Sequence, residues 1–269
     1  MRVTYVIPAH NEESTVATIV GQARAAVREG DRIVVVDSAS TDATAERAAA
    51  AGAEVIRGPI GKGAAMAAAV STVQTDWVCF LDADVVSSST NVAAELRAAA
   101  EVDDADHVLG DYEYDYPGTI LGSTFTIYEP LTAELFPEVG HLGANSLTGY
   151  RAIRTSCLPT TLPPDFGVET FLNIAIAVAG GRSKTCHLGV ITSRFRPTGG
   201  NMAREIGRTV LDLAIEHNRI PPESRSEWDA WVEGGAKAIA GQQADGGRSA
   251  TLARLFAAVR RPMPSRTGL

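Results

Sequence analysis

The stretch WVCFLDAD, residues 77–84, combines an unbroken apolar run with two carboxylates that follow it closely. Such a run is typical of a short parallel strand that is covered on both faces. Asp82 and Asp84 are two residues apart, so their side chains point to the same side of an extended backbone. The stretch therefore predicts a buried strand whose carboxyl end carries a pair of carboxylates.

Upstream of this stretch, three further strands are predicted, at residues 3–8, 33–36 and 54–57, of which the run at 33–36 is wholly apolar. Each is followed by residues with helical spacing, and this alternation predicts an α/β fold with a mostly parallel sheet and helices on both faces. Ligands of such sheets bind at the carboxyl ends of the strands. Polar clusters follow three of the four strands, at residues 8–13, 37–42 and 82–84, and we expect them to form one site.

The second half of the chain is less regular. Strands are predicted at residues 107–114 and 184–191, and helices within 118–135 and at 168–179, 202–216 and around Trp228 and Trp231. We expect one α/β domain at residues 1–220, with a regular first half at 1–115 and a mixed second half at 116–220. Residues 221–269 are expected to form a helical extension with a frayed tail.

The composition excludes several classes of protein. The formal net charge of −8 over 269 residues disfavours binding to nucleic acid, which needs a basic face. Three widely spaced cysteines without a CxxC pair indicate neither a disulfide scaffold nor a structural zinc site. No apolar run approaches the ~20 residues of a membrane span, and Met1 leads directly into a predicted strand rather than a leader. We expect a cytoplasmic protein and leave a homodimer open.

The carboxylate pair Asp82 and Asp84 concentrates negative charge at one strand end. Mg²⁺ or Mn²⁺ would suit these oxygen ligands and would share its shell with substrate phosphates. A bound metal would offset the charge that grows on a departing diphosphate. A solvated acidic turn is the alternative interpretation of this pair.

Two other segments suggest phosphate binding. Gly61-Lys62-Gly63 precedes a predicted helix, where glycines permit close approach of the backbone and a lysine supplies a positive charge. It lacks the spacing of a P-loop, and an ordinary helix entry is the alternative. Arg194 and Arg196 follow a predicted strand and indicate either an anion-binding loop or a solvated surface.

Four motifs occur in a fixed order: PAHNEE at 8–13, DSASTD at 37–42, GKG at 61–63 and DAD at 82–84. Together they resemble the donor half of family 2-type glycosyltransferases. Five shorter motifs narrow the resemblance to the glucosyl-3-phosphoglycerate synthases: PEVG at 137–140, LTGY at 147–150, FGVE at 166–169, LGV at 188–190 and RFRP at 194–197. The resemblance covers most of residues 3–213.

This resemblance implies a GT-A fold, a UDP- or GDP-sugar donor, Mg²⁺ or Mn²⁺ as cofactor, and retention of the anomeric configuration. It assigns donor contacts to Pro8, Ala9, Glu12, Ser38, Lys62, Asp82, Ala83, Arg194 and Arg196. It makes Asp84 the metal ligand and places Glu169 near the transferred sugar, with Lys62, Asp82 and Glu169 as the catalytic group. Thr124, Leu147 and Thr148 are implied acceptor contacts.

Two departures from the family pattern stand out. Ser193 occupies the position of a metal-binding histidine, so the metal would have fewer protein ligands or rely on water. Gly122 occupies the position of an arginine that holds the acceptor phosphate. From Gly122 we expect that 3-phosphoglycerate is not the preferred acceptor and that a neutral, hydroxyl-rich molecule suits the site better.

The resulting hypothesis is a retaining glycosyltransferase that moves a sugar from an NDP-sugar to a small-molecule acceptor. One alternative is a glucosyl-3-phosphoglycerate synthase proper, and another is a catalytically silent nucleotide-sugar binder. An inverting enzyme that uses Asp165 or Glu169 as base is disfavoured because no ED pair or QxxRW motif follows. A nucleotidyltransferase is disfavoured because its glycine-rich, arginine-bearing opening loop is absent.

Overall fold

The structure is a computed structural model that describes residues 1–102, 104–114, 122–194, 200–240 and 248–266. The strands in these ranges are β1 (Val3–Ala9), β2 (Arg32–Asp37), β3 (Glu54–Arg57), β4 (Trp77–Phe80), β5 (Val85–Ser88), β6 (His107–Tyr114), β7 (Arg151–Arg154) and β8 (Ser183–Ser193). The helices are α1 (Val16–Ala26), α2 (Thr44–Ala50), α3 (Lys62–Val70), α4 (Val92–Val102), α5 (Glu129–Leu135), α6 (Val168–Val178), α7 (Asn201–Glu216), α8 (Arg225–Ala240) and α9 (Arg248–Val259).

All of these strands join one sheet in the order β3-β2-β1-β4-β7-β6-β8-β5. Strands β1 to β4 pair in parallel, which confirms the predicted mostly parallel sheet. Strand β7 runs antiparallel to both β4 and β6, and β5 runs antiparallel to β8. The predicted mixed character of the second half is therefore also confirmed.

Strands β1, β2 and β4 are buried on both faces. In β2, Val35 belongs to a core cluster that α1 and α4 help to form, while its neighbours Val34 and Val36 are equally inaccessible but belong to the opposite face. Helix α3 packs on β1 and β2 and contributes no residue to that cluster. Covering both faces is what makes these strands continuously apolar rather than alternating.

The chain divides into two compact units. The first comprises Met1–Tyr116, Thr148–Asp165 and Ala175–Phe195, and it contains the whole sheet. The second comprises Pro117–Leu147, Phe166–Ile174 and Arg196–Leu269. The expected boundary between residues 220 and 221 stays a prediction.

The second unit is helical. Helix α8 packs against α7 and α9, and both tryptophans predicted to lie in an amphipathic helix, Trp228 and Trp231, are buried on it. A Cβ at Gly207 of α7 would lie 2.5 Å from a methyl group of Val232 of α8, so glycine permits the close approach of the two helices. Within the described ranges, every helix is too short or too polar to cross a membrane.

Candidate active site

The acidic pair lies at the carboxyl end of β4, as the sequence predicts. Asp82 and Asp84 follow the buried Leu81, whose N–H donates to the carbonyl of Val6 at 3.0 Å. The Asp82 Oδ1 atom lies 2.7 Å from the Lys62 Nζ atom, and both side chains are largely buried. The GKG segment and the acidic pair therefore meet in the folded chain.

The environment of Asp84 favours a cation. Burial raises the pKa of Asp84 to about 7, the negative charge of Asp82 adds to the rise, and Lys62 opposes it. The positive charge of Lys62 therefore does not neutralise both carboxylates. A divalent metal ion, which binds oxygen ligands, would compensate the remaining negative charge. Across the described residues there is no group of three or more His, Cys, Asp and Glu side chains that could hold a metal. A divalent ion at Asp84 would therefore take most of its ligands from phosphate and water.

Ser193, which stands where the family has a histidine, lies beside the acidic turn. It pairs with Val85 in the antiparallel β5–β8 ladder, and the next residue, Arg194, donates its backbone N–H to the Asp84 carbonyl at 2.9 Å. Serine offers only a neutral hydroxyl at this position. The protein therefore supplies fewer strong metal ligands here than the resemblance implies.

The loops after β1 and β2 lie side by side. Ala9 pairs with Asp37, and the Ser38 N–H donates to the Ala9 carbonyl at 2.8 Å. His10 Nδ1 lies 2.7 Å from the Ser38 carbonyl oxygen, and Asn11 Oδ1 accepts the N–H of Thr41 at 2.8 Å. Pro8, Ala9 and Ser38, three of the predicted donor contacts, therefore lie close together at the adjoining ends of β1 and β2.

Glu12 and Arg194 pair with each other. Arg194 Nη2 lies 3.1 Å from Glu12 Oε2, and the Thr15 hydroxyl donates to the same oxygen at 2.8 Å. Burial raises the pKa of Glu12, although these two partners act against it. Arg194 also donates to the Asn11 carbonyl, so it fastens the end of β8 to the loop after β1. Its role as a phosphate contact stays a prediction, and Arg196 lies outside the described residues.

The GKG segment is shaped by a contact that sequence reasoning missed. Gly61 has φ +117°, and a Cβ there would lie 2.4 Å from the Pro164 carbonyl oxygen. The same oxygen accepts the Ala64 N–H at 2.9 Å. Only glycine suits this backbone, and it places Lys62 as the first residue of α3, where helix N–H groups favour an anion.

Three tyrosines next to the acidic pair were also missed. The hydroxyls of Tyr112 and Tyr114 are 2.6 Å apart, and the Tyr112 ring meets the Tyr150 ring edge to face at 5.4 Å. Burial raises the pKa of all three phenols, and the negative charge of Asp82 adds to each rise. The alternating tyrosines of β6 were the available signal, since alternate residues share one face of a strand.

The second unit carries other predicted residues. Glu169, the second residue of α6, is 3% exposed, Thr124 is buried, and Leu147 is half-buried. Asn173 of α6 donates to the Tyr128 hydroxyl at 3.0 Å and to the Ser146 carbonyl at 2.8 Å, which ties the segment before Leu147 to the helix. The assigned roles of Glu169, Thr124 and Leu147 stay predictions.

A family model described as Glycosyl transferase family 2 matches residues 4–155, more than half of the chain. The chain belongs to glycosyl transferase family 2. This glycosyltransferase is 33% identical over 184 residues to "Glycosyltransferase AglJ" of Haloferax volcanii, a match that covers 66% of the chain and 59% of that relative. It is 29% identical over 236 residues to the glucosyl-3-phosphoglycerate synthase of Mycolicibacterium paratuberculosis, covering 78% of the chain and 71% of the synthase.

Solved structures agree with this membership. The glucosyl-3-phosphoglycerate synthase from Mycobacterium tuberculosis in complex with Mn²⁺, UDP-glucose and phosphoglyceric acid has a TM-score of 0.68 and 27% identity, and the match covers 79% of each chain. The same synthase in complex with Mg²⁺ and UDP has a TM-score of 0.66 and 28% identity, covering 78% of each chain. The predicted GT-A fold is confirmed by this similarity.

Proposed function

We propose that this family 2 glycosyltransferase is a retaining, metal-dependent enzyme that transfers a sugar from a UDP-sugar to a small-molecule acceptor. The observation that carries the proposal is the meeting of Lys62 with the Asp82–Asp84 pair beside the loops after β1 and β2. Relatives at 27–28% identity were solved with UDP or UDP-glucose and with Mn²⁺ or Mg²⁺, which supports UDP over GDP.

In this proposal, different residues bind different parts of the UDP-sugar donor. Pro8, Ala9, Glu12 and Ser38 hold the nucleoside, and Lys62 with the arginines Arg194 and Arg196 binds the diphosphate. Asp82 and Ala83 contact the ribose or sugar side of the donor, and Asp84 holds the divalent ion. When bound, that ion supplies positive charge that offsets the charge developing on the leaving diphosphate.

The transfer step needs positioning and electrostatic stabilisation more than a strong base. In a retaining transfer the acceptor attacks from the face that the diphosphate leaves, and the leaving group can take up the acceptor proton. Lys62 is placed at the leaving phosphate, where its charge is worth most as the bond breaks. Glu169 orients the hydroxyls of the transferred sugar rather than acting as a nucleophile.

The acceptor has two candidates. The expectation against 3-phosphoglycerate rests on Gly122 alone and finds no support in the comparisons. The relatives include synthases named for glucosyl-3-phosphoglycerate, and solved complexes of one contain phosphoglyceric acid or glycerol 3-phosphate. An anionic acceptor of this kind therefore fits at least as well as the neutral, hydroxyl-rich one. The cytoplasmic location and the homodimer stay predictions.

The deciding experiment incubates the protein with UDP-glucose, Mn²⁺ and equimolar 3-phosphoglycerate, glycerol 3-phosphate and glycerol. Mass spectrometry detects the products, and proton NMR determines their anomeric configuration. Product with retained configuration supports the proposed reaction, and the preferred acceptor decides between the two candidates. Lys62→Ala should abolish transfer, whereas Lys237→Ala, a change at a lysine that is 73% exposed, should not. Absence of both UDP binding and transfer in the unaltered protein would refute the proposal.

A further inference from the structure

The turn that contains Gly149 lies against the Asp82 carboxylate. A Cβ built on Gly149 would lie 2.1 Å from Asp82 Oδ1 and 2.4 Å from both Oδ2 and Cγ. Cβ atoms essentially never approach another heavy atom within 3.0 Å. The φ of Gly149 lies outside the left-handed region, so any residue could adopt this backbone. Glycine is required here for space alone, and the carboxylate of Asp82 occupies that space.

The turn is held by a buried arginine. The Arg151 side chain is 0% exposed, and its Nε–H donates to the Thr148 carbonyl at 3.1 Å. Its Nη2 also donates to the same carbonyl oxygen. Arg151 lies on β7, where it is paired with Phe80 of β4 and Leu109 of β6. The guanidinium therefore fixes the turn from the centre of the sheet, where neighbouring strands prevent it from moving.

The turn is also fastened from its other side. The Thr148 hydroxyl accepts the Tyr150 N–H at 3.0 Å, and the Gly110 N–H of β6 donates to the Tyr150 carbonyl at 2.8 Å. Every residue from Thr148 to Arg151 thus has a fixed partner or a fixed contact. A turn that is held in this way can limit the positions open to the Asp82 side chain that lies against it.

Asp82, the side chain that lies against this turn, is also the one that pairs with Lys62. Asp82 Oδ1, the atom closest to Gly149, is also the atom 2.7 Å from Lys62 Nζ. We propose that Gly149 and Arg151 are positioning residues: Arg151 fixes the turn, and Gly149 leaves the space in which the Asp82 carboxylate orients Lys62. The role of Lys62 at a diphosphate rests on the proposed function, whereas the contact between Gly149 and Asp82 does not.

Gly149→Ala should therefore act through Asp82. The new methyl group must displace Asp82 Oδ1 by at least about 1.3 Å, from 2.1 Å to the 3.4 Å at which ordinary contact begins, and the 2.7 Å contact between Asp82 and Lys62 is then lost. Lys62 would be oriented less well, and UDP should bind about ten-fold more weakly while uridine binds unchanged. Arg151→Lys, which keeps the charge but loses the fork of donors, should produce a smaller effect of the same kind.

The test is a double-mutant cycle read by thermal unfolding and by UDP titration. Gly149→Ala is made in the unaltered protein and in Asp82→Ala, which removes the carboxylate that the methyl group would meet. We expect Gly149→Ala to lower the unfolding temperature in the first background and to change it little in the second. Gly21→Ala is the matched control, because a Cβ there meets nothing within 4 Å.

The outcomes separate the two levels of the inference. An equal loss of stability in both backgrounds would show that Gly149 is not reserved for Asp82 and would overturn the proposal. A UDP affinity that is unchanged in folded Gly149→Ala and Arg151→Lys would also overturn it. If Gly149→Ala does not fold, Asp82→Ala/Gly149→Ala should fold, and its failure would count against the proposal. Absence of UDP binding to the unaltered protein would refute the proposed function, while the unfolding cycle would still decide the contact.

Discussion

Replacement of Lys62 by alanine should weaken the binding of UDP far more than that of uridine. Lys62 begins α3 and lies 2.7 Å from Asp82, with 19% of its side chain exposed. Its charge opposes the rise in the pKa of Asp84 that burial and Asp82 cause, so its removal leaves two neighbouring carboxylates with less compensation. A diphosphate brought to this place would then meet negative charge in addition to losing a cationic partner.

The size of the effect follows from the type of contact. A hydrogen bond to a charged group contributes about 1.5–3 kcal/mol, which corresponds to roughly ten-fold to 150-fold in affinity. The low exposure of Lys62 makes screening by salt weak, so the loss should lie toward the upper part of this range. Uridine lacks phosphate and should lose less than about three-fold, because no contact to the lysine disappears.

The measurement is isothermal titration calorimetry with UDP and uridine in the presence of Mn²⁺. Lys237→Ala is the control, since this lysine on α8 is 73% exposed and should affect neither ligand. Lys62→Arg should restore part of the UDP affinity, because it returns the charge with a different shape. If Lys62→Ala weakens UDP and uridine equally, the lysine serves only the entry of α3 and the reasoning is wrong.

Three further predictions concern charge in the first unit. Asp84→Asn should abolish Mn²⁺-dependent turnover without lowering the unfolding temperature, as initial rates and calorimetry would show; full activity at limiting Mn²⁺ would contradict this. Because the pKa of Asp84 is raised to about 7 in the folded protein, the folded state binds a proton at this residue more tightly than the unfolded state does. The metal-free protein should therefore gain stability from this residue as the pH falls from 8 toward 5, a gain that Asp84→Asn should remove. Arg97→Ala should cost about 3–5 kcal/mol in chemical unfolding, because it leaves the fully buried Asp31 carboxylate without its cation; Arg182→Ala, at an exposed ion pair, should change little.

The donor half of the fold could be predicted because each strand is marked locally. Strands β1, β2 and β4 contain short apolar runs, and the predicted bounds of the four strands differ from the observed ones by one residue at most. The sheet order β2-β1-β4 then brings the three polar clusters to neighbouring strand ends. Parallel packing supplies this meeting of distant residues without any further information from side chains.

The missed strands lacked such marks. Strand β7 reads RAIR, and two arginines in four residues indicate a surface segment, yet Arg151 is completely buried between β4 and β6. Its guanidinium is tolerated there because the Thr148 carbonyl oxygen accepts hydrogen bonds from its Nε and Nη2 atoms. Among the described strands, β5 pairs with β8 alone, and its four residues, VVSS, are too short and too exposed a run to predict a strand.

The residues that sequence reasoning missed at the site act by space rather than by chemistry. Carboxylates and lysines can bind metal ions and phosphates through their charge, so Asp82, Asp84 and Lys62 could be recognised as candidate site residues from the sequence. Gly149 and Pro164 contribute an absent methyl group and a backbone carbonyl, which any neighbour in the fold could have supplied. Their importance arises from what the fold places opposite them: a Cβ at Gly149 would lie 2.1 Å from Asp82 Oδ1, and a Cβ at Gly61 would lie 2.4 Å from the Pro164 carbonyl oxygen. Glycines whose missing Cβ points at a charged side chain are therefore where the positioning residues of this site should be sought, and within the described part of the chain Gly149 is the one for which that side chain is itself a predicted catalytic residue.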